Sequence, residues 1–177
     1  AADLVRNVNI IDVETGTVKA DQDVLIRDGM IVSIEAASEK TPDGVTIYDS
    51  GSGYMIPGLW DTHVHVFSSP DEYKTAFGLY LINGVTGIRD MGALLPFDEQ
   101  RRIAGDVETG AIAGPRVILS GAWIDASPGS WPGMFLANTP DEGRARVKEI
   151  KAQGWAAVKS YSMLAESAYR AIADEAK

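Results

Sequence analysis

His63 and His65 are the only histidines in the chain, and they stand two residues apart. On a strand, residues i and i+2 share a face, so both imidazoles would meet one opening. Two nitrogen donors on one face make half of the N/O shell that a divalent cation takes. Asp61 lies one step back on that face, where its carboxylate could accept the far N–H of a ligating imidazole. The competing reading is a polar strand end with two solvated or core-satisfied histidines. Lys159 closes the apolar run Trp155-Ala156-Ala157-Val158. An amine stripped of water at such a strand end favours its neutral form, able to act as a nucleophile or to take up carbon dioxide. The carbamate would be a carboxylate on a long stem that could bridge two cations. The alternative is a solvated lysine. Arg89 and Asp90 close another β-prone run, and could touch an anionic substrate group or pair with each other; the pairing is the reading adopted. The Gly- and Pro-rich stretch 122–138 carries Trp123, Trp131, Met134 and Phe135, which suits either a lid or substrate wall or a mobile surface loop.

The elements that must position these residues fall into two patterns. Up to Tyr54 the chain reads as strands: Leu4 to Ile11, then Val24 to Arg27 and Met30 to Ile34 around Asp28-Gly29, then Val45 to Tyr48. Asp-Gly between apolar runs is the chemistry of a two-residue hairpin. From Met55 the pattern alternates strand and helix. A turn feeds a buried strand through His65, a helix carries Tyr73, Phe77 and Tyr80, and a strand covers Val85 to Arg89. A second helix spans about Pro96 to Thr109, followed by a strand from Arg116 to Ser120. Thr139-Pro140-Asp141-Glu142 has the cap, first-turn proline and acidic partner of a helix start, and Gly154 its stop. Trp155 to Ser160 reads as a fourth strand, and a last amphipathic helix carries Leu164, Tyr169 and Ile172.

Alternating units of this kind call for a parallel sheet with helical crossovers. Four units lie between Met55 and Lys177, whereas a closed eight-fold barrel needs roughly 250 residues. The expectation is an α/β chain of two parts: residues 1–54 as a small β-sandwich layer, and 55–177 as about strands 1–4 of a (β/α)8 barrel.

Composition narrows the partners. The 177 residues are 45% hydrophobic and 23% charged, which is ordinary for a folded domain. Sixteen basic against twenty-five acidic residues give a net charge of −9, which repels phosphate backbones and argues against nucleic acid. No apolar run approaches the roughly 18 residues of a membrane span, and zero cysteines exclude thiolate ligands and nucleophiles. The Ala1-Ala2-Asp3 start lacks an initiating Met. It suits cleavage after small residues as well as a shortened chain, so the compartment stands between cytoplasmic and exported, tilted toward export.

The run Tyr54-Met55-Ile56-Pro57-Gly58-Leu59-Trp60-Asp61-Thr62-His63-Val64-His65 resembles the PGLxDxHxH signature of the amidohydrolase superfamily. Gly84-Val85-Thr86-Gly87-Ile88-Arg89-Asp90-Met91-Gly92 resembles the GVTTVRDMG segment of its imidazolonepropionase-like and Xaa-Pro dipeptidase-like branch, and Val158-Lys159-Ser160-Tyr161 falls where that branch has its metal-bridging lysine. The resemblance implies a metal-dependent (β/α)8 barrel with one or two divalent ions, zinc foremost. It implies His63 and His65 as ligands, Lys159 as the carboxylated bridge, and Tyr161 as a candidate substrate contact. The implied reaction is attack of an activated hydroxide on an amide bond of a peptide-like or N-acyl amino acid substrate. Ester, lactone or carbamate hydrolysis, or a non-catalytic partner-binding half-barrel, are the alternatives. The family takes two further histidines and an aspartate from later strands, and this chain has no third histidine. The chain alone is therefore expected to be inactive, with open strand edges that pair with a complementary C-terminal half or another copy.

Overall fold

The structure, a computed structural model, describes residues 2–120 and 122–177. Ala1 of the Ala-Ala start lies outside the described residues. The chain divides into two compact units, Ala1–Pro57 and Gly58–Lys177.

The first unit is one five-stranded sheet. Its strands are β1 (Ala2–Ile11), β2 (Val18–Arg27), β3 (Met30–Ala36), β4 (Thr46–Asp49) and β5 (Tyr54–Met55). The order is β3-β2-β1-β4, with β5 also on β1. The β2–β3 hairpin turns on Asp28 (φ 50°) and Gly29 (φ 78°), the paired positive φ values of a two-residue turn that matches strand twist. Leu4, Val8 and Val24 are buried. Among the described residues these strands form a single sheet. Every strand joins the same sheet through β1 or β2, and Met30, Ile31, Val32 and Ile34 are exposed. The division also falls after Pro57 and not after Tyr54, because Tyr54 and Met55 pair in parallel with Asn9 and Ile10.

The second unit is mixed α/β. In chain order it contains β6 (Leu59–Val64), α1 (Glu72–Ile82), β7 (Val85–Asp90), α2 (Phe97–Glu108), β8 (Arg116–Leu119), β9 (Ala122–Asp125), β10 (Phe135–Leu136), α3 (Pro140–Gln153), β11 (Val158–Ser160) and α4 (Glu166–Glu175). One parallel sheet runs β6-β7-β8 and the other β10-β9-β11. Only residues 120 and 121 separate β8 from β9. β8 pairs with β7 and β9 pairs with β11, so the spatial sequence is β6, β7, β8/β9, β11, with α1, α2 and α3 between. Backbone bonds from Ser120 to the Asp90 carbonyl and from Ala156 to the Leu119 carbonyl continue the pairing across the interruption.

Two apolar clusters hold this unit. Phe67, Phe77, Ile88 and Ile103 are buried between β6–β7 and the first two helices, with Phe67 edge-on to Phe77 at 6.3 Å. Ile124, Val147, Ile150 and Ile172 fill the second. Helix α3 begins as its sequence dictates: Thr139 Oγ1 accepts the Glu142 N–H at 3.2 Å, Glu142 Oε2 accepts the Thr139 N–H at 3.2 Å, and Gly154 ends the helix at φ 91°. Thr139→Ala is expected to cost about 1 kcal/mol, read as a lower denaturant midpoint with an unchanged slope.

Three expectations need correction. β6 is largely exposed, Leu59 at 49% and Trp60 at 46%, because β7 is its one strand partner among the described residues. The fourth strand starts at Val158 and not at Trp155, whose ring instead stacks on Phe97 at 3.9 Å. The stretch 122–138 is not a plain loop, since it contains β9 and β10. No helix among the described residues is long and apolar enough to cross a membrane.

Candidate metal centre

Strand pairing brings together side chains nearly a hundred residues apart. β6 carries His63 near its end and delivers His65 just beyond it, and the two rings lie 5.3 Å apart at 61°. β11, three positions along the strand order from β6, carries Lys159, whose Nζ stands 3.4 Å from His63 Nε2. Burial and the neighbouring Lys159 ammonium hold the His63 imidazole below its usual pKa, which favours the neutral, donor-competent ring.

His65 is oriented through its other nitrogen. Nδ1 is 2.8 Å from the Gly92 carbonyl oxygen. A carbonyl only accepts, so Nδ1 carries the hydrogen and the Nε2 lone pair is left free, as in metal-ligating histidines. Gly92 is itself fixed. Asp90, fully buried, accepts the Gly92 N–H at 3.0 Å and the Val66 N–H at 2.9 Å, clamping the backbone on both sides of the His65 contact. Burial pushes the Asp90 carboxyl up to about 6 against the pull of those N–H bonds.

That displacement has a sign. A group with a raised folded pKa binds protons more tightly when folded, so stability falls as pH rises from about 4, near the unfolded value, to about 6. The stability of wild type relative to Asp90→Asn should decline across that interval by up to about 3 kcal/mol. Urea unfolding at a series of pH values reads this directly, and a difference that does not vary with pH contradicts it.

Two expected partnerships are not formed. The Asp61 carboxylate accepts the backbone N–H of His63 at 3.1 Å and reaches neither imidazole N–H. Two residues is the spacing of a local side-chain-to-backbone turn, which wins over the longer reach to a ring. Arg89 and Asp90 do not pair with each other. Arg89 Nε donates to the Thr62 carbonyl at 2.8 Å, while Asp90 faces the other way into the core, as successive strand residues must. Tyr161 does sit beside the lysine, its ring centroid 5.7 Å from Lys159 Nζ, and its hydroxyl accepts the Trp131 indole N–H at 2.9 Å.

The sequence reading missed Asp125, and it named Trp123 only as part of a lid, substrate wall or mobile loop. Trp123 places its ring 5.8 Å from Lys159 Nζ and gives its N–H to the Met91 carbonyl at 2.6 Å. Asp125 is fully buried at the end of β9. It accepts the Ser130 hydroxyl at 2.7 Å and the N–H groups of Ala126 and Met163 at 2.9 Å. Burial works against its charge, but these bonds outweigh it and hold the carboxyl below its ordinary pKa. It thereby ties the segment after β9 to the segment after Lys159. An acid ending the apolar run Ala-Trp-Ile before a Gly/Pro-rich stretch was the available signal.

Among the described residues no three His, Asp or Glu side chains gather as a cation site. The donor set is two imidazoles, His65 with its Nε2 open and His63 with its Nε2 in contact with Lys159 Nζ, together with that lysine. It fits a divalent ion as part of a shell, with the lysine contributing only after losing its positive charge.

Parallel α/β strands that bring imidazoles from the end of β6 and a lysine from β11 to one place define the class of α/β proteins with side chains gathered at the carboxyl edge of the sheet. No family model matches the chain. It is 30% identical over 156 residues to a dihydroorotase of Geobacter sp. (strain M21), covering 85% of this chain and 34% of that protein. It is 28% identical over 85 residues to an adenine deaminase of Chelativorans sp. (strain BNC1), covering 48% of this chain and 14% of that protein. A solved prolidase-like protein from Bifidobacterium longum superposes with a TM-score of 0.83 at 25% identity, over 99% of this chain and 46% of that one. The chain thus spans less than half the length of each of these relatives. It is homologous to the enzymes of the amidohydrolase superfamily.

Proposed function

We propose that the chain supplies the first part of a metal-dependent hydrolase, with β6, β7, β8/β9 and β11 as the first four strands of a (β/α)8 barrel. Its consecutive parallel order, with a helix between each pair, supports that placement. The outer edges of β6 and β11 would then be closed by later strands, whether on the same chain or on a partner.

The observation that carries the reading is the 3.4 Å approach of Lys159 Nζ to His63 Nε2 across 96 residues of sequence, beside a His65 already oriented by Gly92. His63 and His65 would hold one divalent ion through Nε2, zinc being the first candidate. Deprotonated Lys159 adds carbon dioxide at Nζ with loss of one proton, and the resulting carbamate oxygens supply the missing anionic ligand. A divalent metal bound there brings the pKa of water toward neutrality and polarises a carbonyl oxygen. The chain's own residues do the rest. Asp90 and Gly92 fix the His65 tautomer, Asp125 fixes the segment after Lys159, and Tyr161 presents a hydroxyl beside it. The bond favoured for cleavage is an amide, in a peptide-like or N-acyl amino acid substrate.

The test uses the full-length protein. Chelation should abolish hydrolysis of a panel of dipeptides and N-acyl amino acids, and Zn, Mn or Co should restore it. The paired variant His63→Ala, His65→Ala should lose both bound metal and turnover. Turnover that survives chelation, or an unchanged metal content in the paired variant, would sink the proposal. Metal-dependent cleavage of esters or lactones added to the panel, with every amide left intact, would keep the metal and move the substrate class.

A further inference from the structure

Beside His65 and Lys159 lies a cavity of about 310 Å³, walled by Ala93, Leu94, Trp123, Trp131 and Tyr161, with Ser68 and Gly92 completing its rim. Its polar tips are already spent within the chain. The Trp123 indole N–H goes to the Met91 carbonyl at 2.6 Å, the Trp131 indole N–H to the Tyr161 oxygen at 2.9 Å, and the Ser68 hydroxyl to the His65 carbonyl at 3.1 Å. The Gly92 carbonyl takes the His65 ring N–H. What remains facing the space is carbon: two indole rings 6.5 Å apart and inclined at 59°, and the Leu94 side chain, with Trp131 and Leu94 both strongly exposed. Unused hydrogen-bonding capacity is confined to one end, at Lys159, His65 Nε2 and the Tyr161 hydroxyl hydrogen. Large apolar side chains exposed around one cavity mark a binding surface, and two inclined indoles make a notch for a flat ring.

We propose that this cavity is the acyl-group subsite and selects an aromatic acyl group, ring between Trp123, Trp131 and Leu94 and carbonyl toward His65 and Lys159. The inference rests on the hydrolase reading for the identity of the ligand as a substrate, but the pocket's preference is measurable without turnover. The volume is at the small end of ligand sites, room for one ring and its linkage.

The probes are N-benzoylglycine and N-acetylglycine, titrated into the full-length protein by calorimetry. N-benzoylglycine should bind at least about tenfold more tightly, the scale of a ring desolvated against aromatic walls. Trp131→Ala should collapse that ratio to within about threefold, and because Trp131 is exposed this change leaves the core intact. Tyr161→Phe breaks the Trp131–Tyr161 bond but keeps both rings, and should retain the preference. Equal binding of the two probes, or a preference that survives Trp131→Ala, overturns the proposal. The same titration on chelated protein separates the two readings. A benzoyl preference in a protein that hydrolyses nothing with any metal keeps the subsite and rejects the hydrolase. Metal-dependent turnover with no benzoyl preference does the reverse.

Discussion

Lys159→Arg in the full-length protein is expected to lose turnover as deeply as Lys159→Ala, by more than about a hundredfold, the upper range seen when merely supporting groups of a metal site are removed. The comparison matters because two roles fit the 3.4 Å contact with His63 Nε2. If Lys159 acts as a cation that donates a hydrogen bond to the imidazole, arginine keeps the charge and the donors, and part of the activity should remain. If it acts as a carbamate, arginine fails completely, since its guanidinium stays protonated and cannot add carbon dioxide. Lys159→Glu restores a carboxylate on a shorter stem, and should bind more metal than either other variant. Metal content and turnover measured together decide it. Arginine retaining a tenth or more of wild-type activity would reject the carbamate role, and so would wild-type activity indifferent to removal of bicarbonate and carbon dioxide followed by their return.

The parts of this site legible in the sequence are those encoded locally. His-x-His at a strand end, a lysine closing an apolar run, Asp28-Gly29 between apolar strands and Thr139-Pro140-Asp141-Glu142 all act within a few residues, and the observed turn and capping box follow from them. What was not legible depends on pairings between distant segments. The gathering of the first strands into one sheet depends on β4 and β5 both returning to β1, and the division after Pro57 depends on the same pairing. Asp61 was assigned a ring partner from its strand face and Arg89 a carboxylate partner from its neighbour in sequence, yet backbone groups, the His63 N–H and the Thr62 carbonyl, took them. Asp125 and Trp123 have only a weak local signal, an apolar run ending in an acid before a Gly/Pro-rich stretch. Their roles follow from β9 lying between β10 and β11 with Met91 and Gly92 nearby, which no local spacing records.

Gly92→Ala tests the most crowded point of that arrangement. Two independent costs meet there. The backbone sits at φ +135°, a region that an L side chain rarely adopts, and an added Cβ would lie 1.7 Å from Trp123 Nε1. Backbone strain of this kind costs on the order of 1–3 kcal/mol, and forced overpacking about as much again. A loss of roughly 3 kcal/mol or more in unfolding free energy is expected, enough to threaten a domain of ordinary stability. The effect should not stop at stability, because the same residue offers the carbonyl that fixes His65. Metal affinity should fall by about 10- to 100-fold in whatever fraction stays folded, the usual consequence of disturbing a ligand's outer hydrogen bond. Pairing the change with Trp123→Ala removes the collision and leaves the strain. The double variant should therefore recover the steric part of the loss measured against Trp123→Ala alone, while the φ cost persists. Full additivity of the two changes, or a Gly92→Ala protein with wild-type stability and metal affinity, would mean that the ring does not rest on this glycine and that His65 is held by something else.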